Sequence, residues 1–431
     1  MSGNRDIGTG GGNYSENIGK NYIQAENVSI FESGKDRVSK NDAKSDIDAH
    51  ITLVVARLGK ADYRSISEAI KNAEEGTRIL VRRGTYNEGI VIDKPLEIIG
   101  GARDEIIIQT SDSSCILMQT DFAVVKNLTL RGRAGRKGKE FFGVDIPQGN
   151  LILENCDITS DSLCCIAING SSANPTIKNC QIHDNEIGVV IREGSNPLVE
   201  NCQIYDSQIG VYVCENGAGT IDNCDIFANV LAGVNITQGG NPIVKKCKIH
   251  NGKIAGILVH RNGEGTINNC DIFANDSGIE IRQGGNPLVK NCQIHDGKSF
   301  GVYVFENGKG IIENCDIFAN EVGVAITHRG NPLVKHCQIH DGKQCGVYVC
   351  ENGEGIIENC DIFANEEGLG IGEEGNPLVK NCKINRNKSS AIYAYNNGKG
   401  TVENCDLTNN KHGAWYIDET SQVQRSNNIT D

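Results

Sequence analysis

Aromatic residues are scarce. Phe, Tyr and Trp make up 5% of the 431 residues, which excludes a large globular core packed with rings. Basic residues are in deficit, with 42 Lys and Arg against 55 Asp and Glu and a net charge of −13. That balance excludes nucleic acid as a general partner, because phosphate binding needs clustered cations. No stretch approaches the ~18 consecutive apolar residues of a membrane span, so no membrane partner is expected. The opening "MSGNRDIGTGGGNYSEN" has no apolar core of a secretory signal. The expectation is a cytoplasmic protein whose 18 cysteines stay reduced. Walker A, HExxH, calcium-binding GGxGxD and CxxC patterns are all missing. Neither a cofactor nor a metal site is expected. Outward Thr residues are too scattered, as at Thr237 and Thr327, for an ice-binding face.

Glycine is abundant, at 51 residues, and implies many tight turns. Residues 1–48 are Gly-, Asn- and Ser-rich without apolar periodicity and are read as a disordered tail. From Ile51 the pattern sharpens. "ITLVVARLG" reads as a strand and 65–75 as a helix. Ser65 and Glu68 form a capping box, Ile66, Ala69, Ile70 and Ala73 make one apolar face, and Gly76 ends it. Residues 51–148 are read as a cap followed by irregular coils.

From residue 149 a repeat takes over. Twelve cysteines, from Cys156 to Cys405, recur in steps of 22 or 23 residues with one of 24. Self-similarity on that scale marks a solenoid. Two coil types alternate. Asn-Pro opens one, at Asn241, Asn286, Asn331 and Asn376, and Gly opens the other, at Gly265, Gly310, Gly355 and Gly400. Each set has a spacing of 45 residues, so the unit is a pair of coils. Leucine-rich repeats share the period but need a Leu frame that is absent here. Short Val/Ile alternations between Gly and Asn turns mean strands. Three strands per coil predict an all-β parallel β-helix with three sheets and about 15 coils, spanning 49–418. The helix would cap its N-terminal end, and Trp415 and Tyr416 would help close the other. Residues 419–431 are read as a polar tail.

In such a fold, equivalent residues form columns. One cysteine per coil becomes an internal ladder, and buried small hydrophobes account for it better than metal or disulfides. The column two residues earlier reads Lys290, Glu313, Lys335, Glu358, Lys380, Glu403. Alternating signs avoid stacking like charges, which explains why neighbouring coils differ. A ring column, His250, Phe273, His295, Phe318, His340, Phe363, is read as corner stacking. The His-Asp pairs at His295-Asp296 and His340-Asp341 recur too often to be a catalytic site.

The outward face of the Gly-Val-x-Val strand is the candidate site. It carries Tyr212, Tyr303, Tyr348 and Tyr393 in one column, and Phe305 and Tyr395 in the next. Rings would recur about 9.6 Å apart, every second coil. Such a row suits a protein segment or a polysaccharide as partner. Simple duplication, with Tyr favoured on any sheet surface, explains the same row. A basic loop, "RGRAGRKGKEFFG", holds Arg131, Arg133, Arg136 and Lys137. It reads either as a contact for an acidic polymer or as a solvated loop tip. Glu280 and Arg282 near His260 form the best candidate catalytic cluster, although alternating charge explains it too.

The coils "NPLVKNCQIHDGKSFGVYVFENGKGIIENCDIFAN" resemble the right-handed β-helix repeats of the carbohydrate-binding and sugar-hydrolase group. Within that group they resemble most the repeat region of F-box-only ubiquitin-ligase substrate receptors. Mannuronan epimerases carry related repeats. The segment "GTYNEGIVIDKPLEIIG" resembles the start of pectin-lyase-like proteins. The resemblance implies a right-handed solenoid and a non-catalytic recognition surface, with links to the ubiquitin pathway. The alternative it implies is a polysaccharide-acting lyase, C5-epimerase or hydrolase. This chain has Cys292 and Cys315 where the family carries an inward Asn, and it lacks the epimerases' Asp-Pro-His motif. A monomer is expected.

Overall fold

Each repeat lays down three short strands, and the computed structural model shows how they stack over residues 51–133 and 141–431. The predicted tail at 1–48, and Arg136 and Lys137 of the basic loop, lie outside the described residues. One coil carries Leu288–Lys290, Gln293–His295 and Phe300–Val304; the next carries Ile311–Glu313, Asp316–Phe318 and Val322–Ile326. These pair strand on strand, all parallel and in register, as Val289 on Ile312, Ile294 on Ile317 and Val302 on Val324. The result is an all-β, right-handed solenoid of about 16 turns. We call its faces the first, second and third sheets in chain order. The inward residues make one continuous aliphatic and thiol core.

The first corner explains the Asn-Cys phrase. Asn291 and Asn314 sit at φ 53° and 52°, a left-handed conformation that Asn tolerates better than most residues. The following cysteine then points inward. Cys337 Sγ lies 3.3 Å from the carbonyl of Lys335 in its own coil and 3.6 Å from that of Ile312 in the coil before. The corner also turns an amide inward, and the next sulfur accepts from it, as Cys382 N–H does to Cys405 Sγ at 3.4 Å. The ladder ends on Asn428. Its Oδ1 accepts the Cys405 N–H at 2.9 Å, and its Nδ2 donates to the Val402 carbonyl at 2.8 Å. The thiols are therefore more than small hydrophobes: Cys405, which accepts an N–H and donates to a carbonyl, does the hydrogen-bonding work of an inward asparagine. All eighteen cysteines are buried thiols.

The second corner supplies another reason for a two-coil unit. Gly297 N–H donates to Asn320 Oδ1 at 2.9 Å, and Asn320 Nδ2 donates to the Ile294 carbonyl at 3.0 Å. A Cβ on Gly297 would meet that oxygen at 2.7 Å. The Asn of one coil thus fills the space left by the Gly of the coil before it. Gly342 with Asn365 and Gly252 with Asn275 repeat the arrangement. Charge alternation operates as well, with Lys335 Nζ at 3.0 Å from Glu313 and Lys245 Nζ at 3.2 Å from Asp222. Outside this corner the rings stack face to face from His183 to Phe363, with centroids 4.6 Å apart between His295 and Phe318. The Arg386 guanidinium covers the last ring at 4.8 Å. His183, His295 and His340 are each clamped by two carboxylates, and His250 by Asp225 and the Asn251 amide. His340 Nε2 meets Asp316 at 2.9 Å and its Nδ1 meets Asp341 at 2.7 Å. The His-Asp pairs belong to this stack.

Both ends differ in detail from the sequence reading. The N-terminal helix spans Ile66–Asn72, shorter than 65–75, because Ala73 already has extended backbone. Ser65 Oγ accepts from Glu68 N–H at 3.2 Å, but the reciprocal cap comes from Glu88. That carboxylate accepts from Ile66 N–H at 3.0 Å and Ser67 N–H at 2.9 Å. Burial works against the Glu88 charge, yet hydrogen bonds from Ser67, Ile66 and Ser65 outweigh it and hold the group below its usual range. At the other end, 419–431 is not a tail. Gln422–Ser426 pairs with Lys399–Glu403 and adds a further first-sheet strand, and Ile429 bridges to Asp406. Asn427, at φ 51°, turns the same corner as the earlier asparagines, so the repeat continues with its cysteine replaced. Trp415 takes part in closure, with the Arg425 guanidinium 4.4 Å over its ring.

Three stability measurements follow. Cys292→Ala leaves a buried amide without an acceptor and is expected to cost about 1–3 kcal/mol, whereas Cys405→Asn should lose less than Cys405→Ala. Gly297→Ala should destabilise in the wild-type background and much less beside Asn320→Gly. Lys246 occupies the left-handed corner at φ 55° in place of Asn, and Lys246→Asn should gain about 1 kcal/mol. Urea midpoints of the purified chain check all three.

Candidate functional site: an aromatic pocket on the third sheet

The third sheet presents its outward side chains in files. Glu280, Tyr303, Ala325, Tyr348, Gly370, Tyr393 and Tyr416 lie successively in one of them. The file matches the sequence expectation, but the rings do not form an evenly spaced exposed row. They are half-buried and gathered into separate groups.

Tyr212 packs against Phe142, Cys164, Ala167 and Val190. Tyr303 is held on its own strand between Phe300 at 4.5 Å and Phe305 at 4.2 Å, and its hydroxyl shares a 3.2 Å hydrogen bond with Thr327. The Arg282 guanidinium lies over Phe305 at 5.6 Å. Tyr348, Tyr393 and Tyr395 make the third group. The Tyr348 and Tyr395 hydroxyls meet at 2.6 Å, although two coils separate the residues. Tyr393 leans on Tyr395 at 57° between planes and stacks on Tyr416 at 4.4 Å.

The local sequence explains the third group. Where the equivalent coil before it reads "EVGVAITHRG" (321–330), this one reads "EEGLGIGEEG" (366–375). Gly370 stands between Tyr348 and Tyr393 in the file, so the side chain between the two rings is missing. A Cβ there would meet Cys345 Sγ at 2.9 Å and the Tyr348 ring at 3.0 Å. Gly372 does the same in the neighbouring file, where a Cβ would lie 2.7 Å from Tyr395 Cζ. Tyr395 can therefore fold across the coil to reach Tyr348. Beside these rings lies a cavity of about 430 Å³. Tyr348, Tyr393 and Tyr395 form its aromatic wall; Gln344, Cys345, Glu366 and Glu367 form the rest.

Glu367 occupies the file position that Val322 holds two coils earlier, directly over Cys345. Cys345 Sγ–H donates to Glu367 Oε2 at 3.2 Å. Burial pushes the Glu367 carboxyl above its ordinary range; the Cys345 hydrogen bond opposes this and Glu366 adds to it. Burial first and Glu367 second push the Cys345 thiol well up. Burial and then the bond to Tyr395 raise the Tyr348 phenol. The pocket thus holds neutral or anionic groups and no Lys or Arg among its lining residues. It can grip an apolar stem with rings and meet a polar or positive tip with carboxyls.

The remaining candidates stand apart from the pocket. Arg131 lies on a second-sheet strand, and Arg133 is exposed, with Nη2 at 3.3 Å from Gln109 Oε1. Neither is brought to the aromatic groups. Glu280, Arg282 and His260 do share the third sheet. His260 Nε2 meets Asn235 Oδ1 at 3.0 Å, and burial, then Arg282 and Arg261, hold its ring below the ordinary range. Burial pushes Glu280 up, against a hydrogen bond with Ser277 and the charge of Arg282. Among the described residues no group of three or more His, Cys, Asp or Glu side chains is placed to hold a metal ion. Sequence reasoning passed over Glu367, Cys345 and Gly372. The available signal was the coil that loses outward side chains while its inward pattern is kept.

A family model described as "Right handed beta helix region" matches residues 114–267, 232–353 and 277–430. No curated protein matches the chain. Among solved structures, the chain is similar to the Azotobacter vinelandii mannuronan C-5 epimerase AlgE6 A-module at 16% identity, covering 84% of this chain and 93% of that one, with a TM-score of 0.40. It is similar to the periplasmic alginate epimerase AlgG at 12% identity, over 84% and 82% of the two chains, with a TM-score of 0.44. The bacteriophage Phi29 gene product 12 N-terminal fragment matches at 13% identity, over 84% and 77%, with a TM-score of 0.47.

Restoring a side chain at Gly372 tests this account of the pocket. Gly372→Ala should displace the Tyr395 ring, break its bond to Tyr348 and destabilise the chain by about 1 kcal/mol. A crystal structure of the variant with the two hydroxyls still in contact would contradict it.

Proposed function

The chain belongs to the right-handed β-helix family, and on that premise we propose that it is a non-catalytic recognition scaffold. It binds a protein segment through the outward face of the third sheet, in the manner of the repeat domains of F-box-only substrate receptors. The observation that carries this reading is the pocket walled by Tyr348, Tyr393 and Tyr395, whose rings close over Gly370 and Gly372 inside an otherwise regular sheet. Third-sheet strands along the repeat pair on both sides, as Cys345–Val349 does with Val322–Ile326 and Glu367–Ile371. A ligand therefore cannot join as an extra strand there; side chains must hold it. Half-buried rings suit that task, since they offer contact area with little rotamer entropy to lose. The eighteen buried thiols support a reducing location, the cytoplasm.

A second reading is a polysaccharide-acting enzyme, like the epimerases among the structural neighbours. Glu280 and His260 support it, because their environments push an acid up and a base down on one face.

Peptide and glycan arrays probed with the wild-type chain separate the readings. Peptide binding lost by at least about tenfold in Tyr348→Ala, with the melting transition retained, supports recognition. Turnover of uronic-acid polymers that disappears in Glu280→Gln supports the enzyme and overturns it.

A further inference from the structure

We infer that the third-sheet pocket takes a cationic side chain, a lysine or arginine of the bound protein segment. This rests on the recognition reading and names the chemistry of its anchor.

Charge is the first argument. Glu366 and Glu367 are the charged residues in the pocket lining, and no cation balances them there. Lys343, next to the lining residue Gln344, lies with its Nζ 3.7 Å from Glu321. An acidic sugar would bring a third negative charge to a half-buried site. A cation brings the partner that a buried carboxyl otherwise lacks. The chain's net charge of −13 attracts such ligands over long range as well.

Shape is the second argument. A neutral sugar stacks best on a flat, open ring. Here Tyr393 has one face covered by Tyr416 at 4.4 Å, and Tyr395 is inclined to it by 57°. Tilted rings beside carboxyls make a cage for an ammonium or guanidinium group, whose charge is attracted to ring faces. The methylene stem of Lys or Arg would lie along the tyrosines. The cavity, about 430 Å³, is large enough for one such side chain. Burial disfavours the Glu367 charge in the empty pocket, and an entering cation offsets that penalty.

The full chain can be titrated with n-butylammonium and n-butylguanidinium, as stand-ins for the two side chains, and with n-butanol and butyrate as neutral and anionic counterparts. Saturation-transfer NMR reads the binding. At least one cation is expected to bind about tenfold tighter than butanol, and the preference should vanish in Glu367→Gln and in Tyr395→Ala. Glu367→Gln keeps size and hydrogen bonding, so it separates lost charge from lost fold. Equal binding of butanol and the cations overturns the inference, as does cation binding unchanged in Glu367→Gln. Displacement of n-butylammonium by an oligouronate overturns it in favour of an acidic glycan. If array peptides bind with no need of Lys or Arg, this inference fails while the recognition reading stands. If no peptide binds and uronic polymers are turned over, both fail.

Discussion

Everything in this molecule depends on one constraint: each corner of a coil turns a backbone amide inward, and the next coil must supply its acceptor. The cysteine column and the Asn/Gly column are two solutions to the same requirement. In the first, a sulfur accepts the N–H of the coil before it, as Cys405 does from Cys382, and shares its own proton with nearby carbonyls, as Cys337 does. In the second, an amide oxygen reaches back to a glycine N–H, as Asn320 does to Gly297. A buried amide without a partner costs about 1–3 kcal/mol, and the penalty would recur at every coil. That is reason enough for the same two positions to be kept through the array. The final coil shows that the chemistry matters more than the residue type, because Asn428 replaces the thiol and keeps both bonds.

Stacking in register has a second consequence. Any side chain on the surface has near-copies about 4.8 Å above and below it. Like charges must therefore alternate, rings must stack, and a void in one coil must be filled from the next. Lys335 on Glu313, His295 on Phe318 and Asn320 on Gly297 are three instances. Regularity of this kind leaves little room for a site. A binding pocket appears where one coil breaks the pattern outwardly while its inward Leu369 and Ile371 keep the core intact. The scaffold tolerates Gly370 and Gly372 because an outward truncation removes no core contact.

The repeat was legible from the cysteine steps, and so were the charge file, the ring stack and the third-sheet column. All four follow from one assumption, that equivalent residues lie over one another. Three things were not legible. The capping of the helix by Glu88 joins residues about 20 positions apart with no motif between them. The last coil looked polar because its ladder residue is Asn428 and its strand, Gln422–Ser426, has almost no apolar alternation. The grouping of rings escaped because it depends on side-chain lean: Tyr395 folds over Gly372 to find Tyr348 two coils away. Periodicity predicts the height of a residue in the stack but not the direction its ring takes.

By itself the sequence determined the solenoid, since a 45-residue repeat of alternating Val and Ile between Asn and Gly corners has one way to bury its apolar face and satisfy its backbone. It also determined which residues share a file. Only the tertiary structure decided which members of a file touch. Contact across a coil depends on the volume of the side chain that stands between, and a missing Cβ at Gly370 or Gly372 lets the rings close in only once the coils on either side are in place.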